Sequence, residues 1–191
     1  MQLTTPSTEN RKSDSGPSPQ TISIFRINFD EIYRRHLCRH SQFGLNVQHL
    51  IAVYGIYYSV YSLVAILIRH LVPQLDIAAQ AVTLAVLSIP YIGVLAANIP
   101  VTLISVTIAS IALLIAGSVQ HTTIPFWVHI VLIVMWHRVQ LWGHKRYTLH
   151  RDMAEFESRY RKGGHLFLLL AIYELPILLH YFLAGRCDWI R

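Results

Sequence analysis

From Ile77 to His137 the chain runs for 61 residues without one formally charged side chain. A soluble domain places charges on the outer face of every element and devotes about a quarter of its residues to them. Here the charged share is 14%, against 53% hydrophobic residues and a mean hydropathy of +0.42 over 191 residues. Between Ser41 and His137 the only formal charges are Arg69 and Asp76. Such segregation excludes a soluble globular fold and intrinsic disorder, and leaves the membrane as solvent. The net charge of +6 then reads as basic flanks on apolar spans, which mark a cytosolic face, rather than as a nucleic-acid surface.

A spanning helix needs about 20 apolar residues to cross about 30 Å of hydrocarbon. Five segments supply them: 50–68, 77–97, 101–120, 124–142 and 166–184. The expected fold is therefore all-α and polytopic, with about five transmembrane helices, since lipid leaves open backbone groups without partners. The second and third spans are separated only by Asn98, Ile99 and Pro100, which predicts a tight antiparallel hairpin. The fourth contains His129, His137 and Arg138, so its last turns belong at the interface, with Arg138 reaching toward headgroups. The fifth contains Glu174, Pro176 and His180.

Residues 22–40 interleave Ile24, Phe25, Ile27, Phe29, Ile32 and Leu37 with charges, which suits an N-terminal interfacial helix. Residues 1–20 are rich in Ser, Thr and Pro and lack the apolar core of a signal peptide. They read as a disordered cytosolic tail on a single helical membrane domain, 21–191. With the N-terminus cytosolic and the spans alternating, thirteen Lys and Arg fall on the cytosolic side and three on the other. That orientation puts the C-terminus on the far face, with Cys38 and Cys187 near opposite ends and no disulfide framework. Nothing repeats at a fixed period.

Histidine is over-represented: eleven, more than the nine glycines. In this topology His36, His40 and His49 sit at the start of the first span, and His137, His144, His150 and His165 surround the end of the fourth and the start of the fifth. Seven of eleven therefore gather at one face. His70 and His121 fall on the other side, with His180 near it and His129 inside the fourth span. At about 100° per residue, His137, Gln140 and His144 share one helical stripe. His36 and His40 also share a face. His40 and His49 share a site only if the chain bends between them, and Ser41-Gln42-Phe43-Gly44 is the expected bend. Clustered neutral imidazoles suit iron, zinc or copper, and an all-nitrogen site with open positions suits Fe(II) handling O₂. Gln140, Tyr147 and Asp152 are candidate partners to fix the ring tautomers. For a lone interfacial histidine such as His36, His150 or His165, a headgroup contact is the simpler reading. Trp136 and Trp142 read as belt residues, and the four tyrosines of the first span as packing and anchoring groups.

The stretch His40-Ser-Gln-Phe-Gly-Leu-Asn46-Val-Gln-His49 resembles a pattern in which a histidine, an Asn-Pro-x-Asn element and a second histidine follow within ten residues. Gln140-Leu-Trp-Gly143-His144 resembles a second motif, Gln-x-x-Gly-His. Together they resemble the small endoplasmic-reticulum 2-hydroxy fatty acid (2-hydroxypalmitate) dioxygenases, over roughly residues 30–185. The resemblance implies an Fe(II) enzyme that uses O₂ to shorten a 2-hydroxy fatty acid by one carbon in α-oxidation. It also implies a multi-pass endoplasmic-reticulum location. His40, His49 and His144 carry over as metal ligands and catalytic residues, with Asn46 and Gln140 as cofactor-binding residues. His137 joins them as fourth ligand on helical geometry alone. A substrate carboxylate would sit at the interface near Arg39, Arg138 or Lys145, with its tail among the helices.

Two other readings compete. His36-Leu-Cys-Arg-His40 has the His-x-x-x-His spacing of membrane hydroxylases and desaturases, but no His-His pair occurs. A non-enzymatic scaffold, lipid-binding protein or transporter subunit would instead use Glu174, His129 and His180 as an ion or proton route.

Overall fold

The computed structural model describes residues 25–147 and 164–190, which form an all-α chain of six helices followed by a short 3-10 helix. The tail 1–20, His150, Asp152 and the side chain of His165 lie outside the described residues.

Helix α1 (Phe29–Arg39) begins where the Asn28 side chain accepts from Glu31 N at 3.2 Å. Asp30 and Glu31 in its first turn complement the helix dipole, and Glu31 pairs with Arg35 one turn on. The chain breaks at 40–42 and restarts as α2 (Phe43–Leu71). At 29 residues α2 is about 43 Å long. It starts two turns before the expected span because Gly44 to His49 are helical too. Helix α3 (Ile77–Ala96) is capped by Asp76, whose carboxylate accepts from Ala79 N at 2.7 Å. The turn before Pro100 leads into α4 (Val101–Gln120), which makes the predicted hairpin. Helices α5 (Phe126–Tyr147) and α6 (Gly164–Leu183) follow, and the 3-10 helix covers Arg186–Ile190.

Among the described residues, α2, α3 and α4 are long and apolar enough to cross a membrane, which points to a multi-pass membrane protein. Helix α5 carries His137, Arg138, His144, Lys145 and Arg146 through its second half, and the described apolar part of α6 is short, Leu168–Leu183. Large apolar side chains such as Leu67, Val86, Leu113 and Val131 are exposed on the outside of the bundle. That surface suits lipid rather than water.

Helix α2 is the central element. Its tyrosines make polar links to α3 and α4, and through Tyr91 to α6. Tyr54 donates to Ser110 of α4 (2.7 Å), Tyr61 meets Ser88 of α3 (3.0 Å), and Tyr57 meets Tyr91 (3.0 Å), which donates to the Ile172 carbonyl of α6 (2.9 Å). Tyr58 sits against the His121 and His129 rings. In an apolar medium such bonds contribute about 0.6 to 2 kcal/mol each.

One expectation is corrected. Helix α6 ends at the same face where α2 begins, not the opposite one. Phe43, the first residue of α2, packs on Phe182 (5.7 Å between centroids) and Trp189 (5.3 Å). Tyr33 of α1 bonds Asp188 (3.0 Å) and meets the His180 ring edge-on at 4.6 Å. Tyr147, at the end of α5, lies against Gly44 at the same face. Helices α5 and α6 therefore finish together, and His180 belongs to the histidine-rich end. Five successive crossings would leave the two ends of the chain on opposite faces, so this shared end does not fit the expected path in which the spans 124–142 and 166–184 are both successive crossings.

Candidate metal centre

The site is built at the α1–α2 elbow. His40 closes α1, with its backbone N–H donating to the His36 carbonyl at 2.9 Å. Asn46, fully buried in the second turn of α2, ties the elbow from the other side. Its Nδ2 donates to the carbonyls of His40 (2.7 Å) and Gln42 (3.1 Å), and its Oδ1 accepts from His36 Nε2 (2.9 Å). The expected bend is thus present at 40–42, with Phe43 and Gly44 already in α2, and it is latched. His49, one turn beyond Asn46, comes within 4.5 Å of His40, centroid to centroid.

Helix α5 supplies the third ring. It runs antiparallel to α2 at close range, because Gly143 leaves room for the Gln48 side chain. A Cβ at position 143 would stand 2.7 Å from Gln48 Oε1, and Gln48 Nε2 donates to the Val139 carbonyl at 2.7 Å. The residue after that glycine, His144, lies 4.8 Å from both the His40 and the His49 rings. Each of the three can present one ligand nitrogen so that all lie within 4.8 Å of one another. Three nitrogens around an ion at about 2.1 Å stand about 3.4 Å apart in tetrahedral geometry, so binding would draw the three rings slightly together.

The donor chemistry fits a metal. His40 Nδ1 faces the His36 carbonyl at 3.1 Å, so it carries the proton, and the lone pair is left on Nε2. That Nε2, and both ring nitrogens of His49, are buried without a hydrogen-bond partner. Buried imidazole nitrogens without partners are costly unless something binds them. The His36 ring stacks on His40 at 4.0 Å. Burial pushes His36 down to about 4 against the raising effect of its Asn46 bond, and burial with the neighbouring histidines holds His40 well below its ordinary value. Both rings are neutral at pH 7, as ligation requires.

The three rings close one end of a cavity of about 280 Å³. Val53, Ile56, Leu141 and Leu170 give it apolar walls, and Arg39 lies at its polar end. His137 lines this cavity but is not in the convergent set. It shares the stripe of His144 as expected, yet seven residues of helix separate them by about 10 Å along the axis. Asn46, expected to bind the cofactor, instead spends its whole amide on the elbow. Gln140 does face the cavity, and its Nε2 donates to Glu174 Oε1 at 3.3 Å.

Two residues at the site stood outside the expected set. His36 was set aside as an interfacial ring, although its i,i+4 spacing to His40 was visible. Glu174 was assigned to the alternative ion route with His129 and His180. The three lie apart: Glu174 is beside His49 (3.5 Å), His129 beside Tyr58, and His180 against Phe29 and Tyr33.

No family model, no curated protein and no solved structure matches this chain.

Proposed function

We propose that this chain is an Fe(II)-dependent dioxygenase that shortens 2-hydroxy fatty acids by one carbon at the cytosolic face of the endoplasmic-reticulum membrane. The observation that carries the reading is the convergence of His40, His49 and His144, with orphaned buried nitrogens, on a cavity that Val53, Ile56, Leu141 and Leu170 wall and that Arg39, Gln140 and Glu174 also line. The motif resemblance names the substrate. In this reading α5 crosses the bilayer with α2, α3 and α4, and the N-terminus is cytosolic, so the end of α5 and the 3-10 helix share its face. Arg26, Arg34, Arg35, Arg39, Lys145, Arg146 and Arg186 at the histidine end, against Arg69 at the other, support that orientation.

His40, His49 and His144 would hold the ion. Bound Fe(II) supplies O₂ activation, and the overall reaction of a 2-hydroxy acid with O₂ to the shorter acid, carbon dioxide and water balances without an external reductant. The chain's own contribution is placement. Arg39 offers a cation for the substrate carboxylate at the mouth of the site. Val53, Ile56 and Leu170 offer a dry wall for the adjoining methylenes, which keeps C1 and C2 at the histidine end.

The test is metal analysis of detergent-purified protein, followed by incubation with 2-hydroxypalmitate and O₂. Wild type should retain near-stoichiometric iron and release the acid one carbon shorter. A His40→Ala, His144→Ala variant should lose both. Folded, iron-loaded protein that leaves every 2-hydroxy acid tested intact overturns the assignment, and protein that stays metal-free after anaerobic Fe(II) loading overturns the centre itself.

A further inference from the structure

The carboxylate of Glu174 lies in an otherwise apolar helix, where an ionisable group is expensive to keep. We propose that Glu174 is a positioning residue for His49: it accepts the His49 Nδ1 proton, so that the Nε2 lone pair faces His40 and His144. The inference rests on reading the three histidines as ligands.

Geometry supplies the argument. Glu174 Oε1 is 3.5 Å from His49 Nδ1, and no protein hydrogen-bond partner meets either nitrogen of that ring. The carboxylate is itself held from behind by Gln140 Nε2 at 3.3 Å. It lines the same cavity as the three histidines but is not part of the set whose ligand atoms all lie within 4.8 Å of one another. His40 is arranged the same way, with Nδ1 facing the His36 carbonyl at 3.1 Å and Nε2 left open. His40 is thus anchored through Nδ1, and the Glu174 carboxylate at 3.5 Å is the acceptor available to His49 Nδ1. An acceptor behind a ligating histidine fixes its tautomer and orientation and raises its basicity, and losing it typically costs 10 to 100-fold in metal affinity. The bound cation in turn offsets the charge that makes Glu174 costly in an apolar helix.

The experiment is a Co(II) titration of the full chain in detergent, followed by its visible d–d absorption. Glu174→Gln keeps the shape and can still bond Gln140, but it removes the charge. It should weaken Co(II) binding by about 10 to 100-fold and shift the absorption bands. Glu174→Asp should recover part of both, which a helix-gluing role would not produce. Equal affinity with an unchanged spectrum sinks the inference and leaves the centre standing, whereas wild type that binds no Co(II) sinks both. If the variants fail to fold, the wild type decides. In Zn(II)-loaded protein with ¹⁵N-labelled histidine, His49 should carry its proton on Nδ1 and the metal on Nε2. Metal on Nδ1, or Glu174 found as a direct ligand by carboxylate spectroscopy, overturns the assignment.

Discussion

His36 and His40 are buried as neutral rings in and just after α1, outside the membrane-crossing helices. In the unfolded chain each titrates at about 6.5; in the fold burial holds His36 at about 4 and, with the neighbouring histidines, His40 well below its ordinary value. Between those values the unfolded state binds more protons than the native one, so stability is full above pH 6.5 and falls as the pH drops toward 4. From His36 alone the loss at pH 5 is about 2 kcal/mol. The thermal midpoint of the metal-free protein in detergent should therefore drop between pH 7.5 and pH 5, and a His36→Gln variant should drop less. An unchanged wild-type midpoint would show that these rings are not held neutral by burial. The same residues mark how far side-chain chemistry could be read from the sequence. The identity of His40, His49 and His144 as a group was legible, because spacing and motif pointed to them together. The stacking of His36 on His40, and the use of Asn46 as an elbow latch, depend on where α1 lies against α2. No local pattern encodes that.

At the scale of elements, the site is a consequence of how closely α2 and α5 approach. Gly55 admits the Trp136 indole and Gly143 admits the Gln48 amide, so the two helices meet at small residues along the length that carries His49 and His144. Gly143→Val should push α5 away from α2, destabilise the protein by about 1 to 3 kcal/mol and lower Co(II) affinity with it. Gly93→Ala is the matched control: a Cβ there meets nothing within 4 Å, and the helical glycine is removed. It should be neutral or stabilise by up to about 1 kcal/mol, with metal affinity unchanged. Equal effects of the two in a paired titration and unfolding series would break the link between helix separation and the centre. The sequence carried most of this level. The turn before Pro100 appears where the sequence puts it, and the break before α2 falls at 40–42, overlapping the expected 41–44. The misjudged element-scale quantity was rise along α5, since His137 was placed by angle and not by height.

For the whole molecule, the decisive fact is that, among the described residues, one end gathers most of the charged side chains and imidazoles. The α1–α2 elbow, the α3–α4 turn, the ends of α5 and α6 and the 3-10 helix all meet there; Ile27 N bonding Asn98 Oδ1 at 2.9 Å and Tyr33 bonding Asp188 at 3.0 Å are the ties. Counting charges gave the correct polar end but not the direction of α6, because hydropathy measures whether a segment suits lipid and is silent on which way it runs. The consequence is a difference in sidedness that chemistry can read. Cys187 is exposed on the 3-10 helix at the histidine end. In sealed vesicles containing a Cys38→Ser background, a membrane-impermeant maleimide should reach Cys187 from the same side that exposes an N-terminal epitope tag. No permeabilisation should be needed. If Cys187 reacts only after the vesicles are opened while the tag is accessible before, α6 ends on the far face. The contacts of Phe43 with Phe182 and Trp189 then do not describe the protein in its bilayer.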